Sequence, residues 1–541
     1  MSKPILEVKN LTLRLKKSGL KVVDDVSFTV QSGETVALLG ESGAGKSTLF
    51  KAILQVLRNQ DWERKGEIHT QGIEITGKVP KELEAIRGPM VRCIFQEPAL
   101  SLNPSLKVDR QLSEAILAVE PTLSEKEVKQ RIATALVDGG IPPGLVSGKF
   151  PGDLSGGQRQ RVGTAMSICV PAPLLLADEP STSLDSVTVT ELVKTLIRLQ
   201  EAKHIGSLFI VTHDLGVLRA LNCERVLFMD EGRIYEAGSI TDVLSKPVHP
   251  KLAEMVSLMN VIENMEHKIL ETNSKEHHTP LFKIEDVDFS YKARTFFKKT
   301  KIPALKNISF EVGKNEFIAL VGNSGSGKST IGKLLTKELM DYEGKITFDS
   351  LDLRDYSKKL NRKHFFQNVQ VIFQEPADTF DPSLTMRENL SESFLSMGKT
   401  KKEVEIIFSD LLSILLLDER MLGEPPRNLS GGQKQRFALM RAFGSHPSLI
   451  LADEPFNNLD LISQQRLMEI LLERKQHKEF PLSCVLISHD IGVVAKLCEK
   501  ILVVDQGEII EYGNFQTIVN NPKHDATKRL ITAAKMLGSI N

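Results

Sequence analysis

Gly40-Glu41-Ser42-Gly43-Ala44-Gly45-Lys46-Ser47-Thr48 recurs in near copy at Gly322-Asn323-Ser324-Gly325-Ser326-Gly327-Lys328-Ser329-Thr330. Both stretches fit the phosphate-loop template G-x-x-x-x-G-K-[ST]. Each follows an apolar, strand-like run, Thr35-Val36-Ala37-Leu38-Leu39 and Phe317-Ile318-Ala319-Leu320-Val321, and each opens a helical pattern. The glycines let backbone N–H groups close around an anion, and the helix N-terminus adds a favourable dipole. Lys46 and Lys328 place a point charge on the outer phosphates, while Ser47 and Ser329 offer hydroxyls to Mg²⁺. At average residue usage ~0.02 such matches arise by chance in a chain this long, so two in the right context are not accidental.

The flanking landmarks repeat with the loops. Lys46 to Lys328 is an offset of 282 (328 − 46), Gln96 to Gln374 of 278 (374 − 96), and Asp178 to Asp453 of 275 (453 − 178). One module therefore occurs twice, over about 1–260 and 281–541, joined by a polar linker over 261–280. Short apolar runs such as Leu174–Ala177, Leu208–Val211, Leu449–Ala452 and Cys484–Ile487 alternate with helical stretches, which predicts a mostly parallel sheet buried on both faces. The regions 97–165 and 375–440 read as mostly helical. Phosphate chemistry then belongs at the carboxyl ends of the strands.

Bulk composition excludes several classes. Of 541 residues, 69 are basic and 69 acidic, so nothing asks for a nucleic-acid partner. No apolar run reaches the ~18–20 residues of a spanning helix. The five cysteines form no C-x-x-C pair, so reduced thiols rather than a metal or disulfide framework are expected. His277-His278 lies in the linker without spaced carboxylates, and is expected to be solvated rather than a metal site. The basic insertion Lys292–Lys301 is expected to be a solvated hairpin tip rather than a lipid contact.

Two further patterns carry chemistry. The apolar runs end in Asp178-Glu179-Pro180 and Asp453-Glu454-Pro455. Adjacent strand residues face opposite ways, so the two acids take different tasks. Asp178 and Asp453 suit Mg²⁺ coordination, and Glu179 and Glu454 suit polarisation of an attacking water. Upstream stand Leu154-Ser155-Gly156-Gly157-Gln158 and Leu429-Ser430-Gly431-Gly432-Gln433, each opening a helix with basic residues, a second anion-binding terminus that a single nucleotide site does not need.

With these residues the chain resembles a tandem pair of ATP-binding cassettes of the ABC transporter family, over nearly its whole length; L-S-G-G-Q is that family's signature. The resemblance implies an α/β fold of tandem P-loop NTPase domains, each with a mostly parallel β core, an antiparallel β subdomain and a helical subdomain. It implies an ATPase using ATP and Mg²⁺. In its head-to-tail sandwich, Lys46, Ser47, Gln96, Asp178, Glu179 and His213 face Ser430, Gly431, Gly432 and Gln433. Lys328, Ser329, Gln374, Asp453, Glu454 and His489 face Ser155, Gly156, Gly157 and Gln158. Gln96 and Gln374 resemble Q-loop residues that touch Mg²⁺, and His213 and His489 resemble switch histidines at the γ-phosphate. Thr182-Ser183-Leu184-Asp185 and Asn457-Asn458-Leu459-Asp460 resemble D-loops. Tyr291 stands where many cassettes stack an aromatic on adenine, whereas module one has Leu15 there, which implies weaker nucleotide binding at its site.

The segments after the Q-loops and the tails Lys246-Pro247-Val248-His249-Pro250-Lys251 and Asn521-Pro522-Lys523-His524-Asp525 resemble the peptide/nickel/opine importer branch. That branch implies two integral-membrane permease subunits and an extracytoplasmic solute-binding protein, an intramolecular cassette dimer, and a place at the cytoplasmic face of the cell membrane. His249 and His524 are expected to serve a turn rather than bind a metal cargo. The alternative is a soluble twin-cassette factor acting on the ribosome, for which the linker is short. An excision-repair ATPase would need C-x-x-C pairs, and a purely structural nucleotide-binding scaffold would not need Glu179 and Glu454.

Overall fold

A computed structural model describes residues 3–41, 43–181, 184–264, 280–295, 298–357, 359–373, 379–456, 459, 461–477 and 481–540. The chain forms two compact units, Met1–Ser257 with Met536–Gly538, and Leu258–Lys535 with Ser539–Asn541. Helix Pro250–Asn264 runs into the stretch expected to be linker, and His277-His278 lies outside the described residues.

In the first unit, β1 (Leu6–Leu15), β2 (Lys21–Val30), β3 (Thr35–Leu39), β4 (Trp62–Thr70), β5 (Ile73–Glu74), β6 (Val91–Ile94), β7 (Ala172–Asp178), β8 (Ile205–Val211), β9 (Arg225–Asp230) and β10 (Arg233–Ser239) build two sheets. An antiparallel sheet runs β2-β1-β4-β5. The second runs β10-β9-β3-β8-β7-β6, parallel except for β10. The second unit repeats this plan with β11 (Phe282–Thr295), β12 (Lys298–Val312), β13 (Phe317–Val321), β14 (Glu343–Phe348), β15 (Leu351–Asp352), β16 (Val369–Ile372), β17 (Leu449–Asp453), β18 (Ser483–Ile487), β19 (Lys500–Asp505) and β20 (Glu508–Asn514).

The central strands β3 and β13 are buried along their whole length, as continuous apolar runs between two covered faces should be. The phosphate-loop helices Lys46–Ile53 and Lys328–Leu335 lie over the sheet. Leu49 and Phe50 join Leu6, Leu11, Leu38 and Phe209 in one core; Ile331 joins Phe282, Leu320 and Phe348 in the other. The expected helical regions are helices Val108–Leu117, Glu125–Asp138 and Gly156–Ile168 in the first unit, and Met386–Ser396, Lys401–Ile414 and Gly431–Phe443 in the second. Val108, Leu112 and Ile116 pack with Val128, Ile132, Leu136 and Val162 at the i, i+4 spacing of helical faces. Ser124 with Glu127, Thr385 with Glu388, and Thr400 with Glu403 start helices by reciprocal capping.

The basic insertion forms the end of the β11–β12 hairpin, where Thr295 pairs with Lys298. Among the described residues no helix is long and apolar enough to cross a membrane.

Candidate functional site

The strand-to-helix turn sets the first part of the site. Gly45 and Gly327 precede their helices with φ of 100° and 114°, in the left-handed region that a side chain rarely adopts. A Cβ on Gly40 would stand 2.2 Å from the Met229 carbonyl oxygen, and one on Gly45 would stand 2.5 Å from that of Val22. The loop is therefore pressed against β9 and β2, and only glycine fits. Lys46, Ser47 and Thr48 form the first turn of the helix, as Lys328, Ser329 and Thr330 do in the second unit. Ser42 lies outside the described residues.

Both lysines are buried and folded back over their loops. Lys46 Nζ donates to the carbonyls of Gly40 at 2.7 Å and Glu41 at 2.8 Å; Lys328 Nζ donates to those of Gly322 at 2.7 Å and Asn323 at 2.9 Å. Burial pulls the Lys46 pKa down, and the neighbouring Glu179 and Asp178 charges oppose that shift. Asn323 Oδ1 and Ser326 Oγ in the second loop are buried without a hydrogen-bond partner among the described residues.

The acids close the site. Ser47 Oγ donates to Asp178 Oδ1 at 3.4 Å, and Ser329 hydrogen-bonds Asp453. Burial first, and then the adjacent glutamate charge, push both aspartates up to about 6. The separation of the acid pair differs from the pleat argument. The strands end at Asp178 and Asp453, and Glu179 and Glu454 take left-handed φ of 45° and 49°. Each is pinned by its own N–H, donated to Val211 at 2.8 Å or Ile487 at 2.9 Å. This turn is a sparsely populated conformation held by the surrounding structure, and it places the glutamates beyond the pleated strand.

His213 Nδ1 lies 3.4 Å from Glu179 Oε1, and His489 Nδ1 lies 3.0 Å from Glu454 Oε2. The hydrogen bond to Glu179 raises the His213 pKa against the effect of burial. Asp214 and Asp490, one residue on, cap the following helices by accepting N–H groups of Val217 at 3.2 Å and Gly492 at 2.8 Å. The sequence signal for that role is an Asp directly before an apolar helical run. Gln96 Nε2 approaches Glu179 Oε2 at 3.5 Å, while Gln374 lies outside the described residues. Thr182, Ser183, Asn457, Asn458 and Asp460 of the D-loops also lie outside them.

The signature serines cap helices Gly156–Ile168 and Gly431–Phe443. Ser155 Oγ accepts from Gln158 N at 3.3 Å while Ser155 N donates to Gln158 Oε1 at 3.0 Å, and Ser430 with Gln433 does the same at 3.3 and 2.9 Å. Among the described residues, nothing lies within 4 Å of a Cβ built on Gly156, Gly157 or Gly431. Among the described residues of the same unit, no packing requires glycine there, unlike at Gly40.

Tyr291 is partly exposed beside the second loop. Its hydroxyl is 3.1 Å from Thr330 Oγ1, and its ring meets Phe289 edge-on at 5.0 Å. Strand register confirms the alignment with Leu15. Leu11 pairs with Val26 and Leu13 with Val23, as Val287 pairs with Ile308 and Phe289 with Leu305. In the tails, Glu236 accepts the N–H groups of Val248 and His249, and Glu511 those of Lys523 and His524. Both histidines thus sit in a tight, carboxylate-bound turn.

Residues 23–182 and 305–457 match the ABC transporter family. The chain belongs to that family. ABC relatives align over 98% of it. A protein of Pectobacterium atrosepticum named glutathione import ATP-binding protein GsiA is 30% identical and covered over 89% of its own length. An Escherichia coli protein named uncharacterized ABC transporter ATP-binding protein YejF is 32% identical and covered over 99%. An Agrobacterium fabrum protein named peptidoglycan transport ATP-binding protein YejF is 32% identical and covered over 97%. The chain is thus an ABC ATPase with two nucleotide-binding cassettes. The ribosome-factor alternative finds no support among these relatives, which are named for transport.

Proposed function

We propose that the chain is the ATP-hydrolysing motor of an importer for peptides or related small solutes, such as glutathione or metal chelates. Two cassettes, over about 1–260 and 281–541, close on two Mg²⁺–ATP molecules and act on two integral-membrane permease subunits. A solute-binding protein outside the membrane delivers cargo, and the chain works at the cytoplasmic face. The observation that supports the reading best is the duplicated hydrolytic set, with lysine, serine, aspartate, glutamate and histidine converging beside both phosphate loops. The names of the relatives point to small-solute transport.

The donor set fits magnesium. A buried carboxylate paired with a serine hydroxyl is a hard-oxygen site, and an aspartate pushed up to about 6 lacks a full counter-charge. Ser47, Asp178 and Gln96 would hold the ion in one cassette, and Ser329, Asp453 and Gln374 in the other. When bound, the ion neutralises charge on the outer phosphate oxygens. Lys46 and Lys328 swing their ammonium groups from the loop carbonyls to the nucleotide. Glu179 and Glu454 accept a proton from the attacking water, and His213 and His489, held by those glutamates, face the outermost phosphate. A loose transition state asks mainly for such positioning and charge stabilisation. By family analogy Ser430 completes the first site and Ser155 the second.

Growth of a deletion strain on peptides, glutathione or metal chelates as sole source of the limiting nutrient tests the cargo. Normal growth on all of them, with permease-free purification of the chain from membranes, would rule the importer reading out.

A further inference from the structure

Arg161 and Arg436 each stand six residues beyond a signature serine, on the same helix. Arg161 Nη1 donates to the Gly140 carbonyl at 2.7 Å and Nη2 to Thr188 Oγ1 at 3.0 Å. Gly140 ends the turn after helix Glu125–Asp138, and Thr188 lies in the first turn of helix Ser186–Glu201, which follows the acid pair. Thr188 is itself fixed: its N–H donates to Asp185 Oδ1 at 2.9 Å and its hydroxyl to Asp185 Oδ2 at 3.1 Å. A Cβ on Gly139 would stand 2.8 Å from the Arg161 carbonyl oxygen, so the helix turn is pressed against the signature helix.

The second cassette repeats the device with other letters. Arg436 Nη1 donates to the Leu416 carbonyl at 3.3 Å and Nη2 to Ser463 Oγ at 3.2 Å. Leu416, like Gly140, has a left-handed φ, of 52°, and follows the end of helix Lys401–Ile414. The neighbouring Gln435, which is buried, donates to the carbonyl of Pro455, the residue after Glu454. One guanidinium per cassette thus joins the helical region, the signature helix and the helix behind the hydrolytic acids. Its planar fork can serve two acceptors at a fixed angle, which a lysine cannot.

We propose that Arg161 and Arg436 are positioning residues for hydrolysis. Each holds its signature serine in register with the acid pair of its own cassette, so that the serine arrives correctly at the nucleotide held by the other. The proposal rests on the pairing of Ser155 with the second phosphate loop and Ser430 with the first. A serine displaced from the phosphate by even an ångström loses much of its contribution.

The test measures ATP turnover by the full chain in two backgrounds. Glu179→Gln leaves the second site as the hydrolysing one; Glu454→Gln leaves the first. Arg161→Ala is expected to lower kcat about tenfold in the Glu179→Gln background, the scale of a lost charge-assisted hydrogen-bond pair. The drop in the Glu454→Gln background is expected to be at least fivefold smaller, and Arg436→Ala should show the mirror pattern. Arg161→Lys should recover less than half of the loss, while affinity for a fluorescent ATP analogue at low occupancy stays within twofold. Equal losses in both backgrounds would mean a general structural role and overturn the proposal. So would an unaltered kcat for Arg161→Ala where Ser155→Ala is slowed. If Ser155→Ala itself does not slow the second site, the pairing fails and the proposal goes with it. A thermal scan of each variant identifies any that fails to fold, and Arg161→Gln, which keeps a shorter donor, then replaces Arg161→Ala.

Discussion

Glu179 and His213 sit at the ends of adjacent parallel strands, carboxylate oxygen to ring nitrogen at 3.4 Å, and Glu454 and His489 repeat the relationship at 3.0 Å. The contact holds each ring through its Nδ1.

Loss of the proposed base is the first expectation. Glu179→Gln or Glu454→Gln should lower hydrolysis at its own site by roughly 10²–10³-fold, the range of general-base catalysis, with nucleotide binding retained. Phosphate release and analogue binding measured side by side check this. Full activity surviving either change would show that site to be non-hydrolytic.

Desolvation of Asp178, which is buried, and of Asp453, which is half-buried, should make the protein pH-sensitive in the absence of nucleotide and magnesium. Asp178 and Asp453 bind their protons more tightly when folded, at about 6, than an unfolded aspartate does. Folding therefore takes up protons, and their contribution to stability grows as pH falls from above 6 towards about 4. Asp178→Asn should raise stability at pH 7.5 by on the order of 1–3 kcal/mol, and the gain should shrink at pH 5. Denaturant midpoints at the two pH values measure it. A gain that widens at low pH would contradict the burial argument.

Tyr291 and Leu15 occupy equivalent register positions with unequal chemistry. Aromatic contact is worth about 0.5–1.5 kcal/mol. Nucleotide affinity should fall roughly two- to tenfold for Tyr291→Leu and rise for Leu15→Tyr. Equal affinities of the two sites in single-site variants would remove the asymmetry.

The signature glycines should trade stability against activity. Gly431 lies in a helical first turn with open space where a side chain would project. Gly431→Ala should stabilise the helix by up to about 0.5–1 kcal/mol, since alanine loses less backbone entropy than glycine. The same methyl should lower ATP turnover by crowding the surface offered to nucleotide. A variant that gained stability and kept full turnover would separate that surface from the reaction.

Contiguous motifs decided much by themselves. A phosphate loop carries its strand, turn and helix within a few letters, so both loops, the duplication, the acid pairs and the serine-capped helices were legible directly. β4, β6 and β10 were not. Trp62–Thr70 carries charged residues on its exposed positions, and Val91–Ile94 is a four-residue edge strand with little periodicity to detect. Tertiary structure alone placed the glutamates in the left-handed turn, because that φ depends on N–H partners in β8 and β18, far along the chain. It alone gave Arg161 the Gly140 and Thr188 acceptors and Arg436 the Leu416 and Ser463 acceptors. Local chemistry is written in neighbouring letters, whereas a hydrogen bond across the fold depends on where several helices end, and no single stretch of sequence records that.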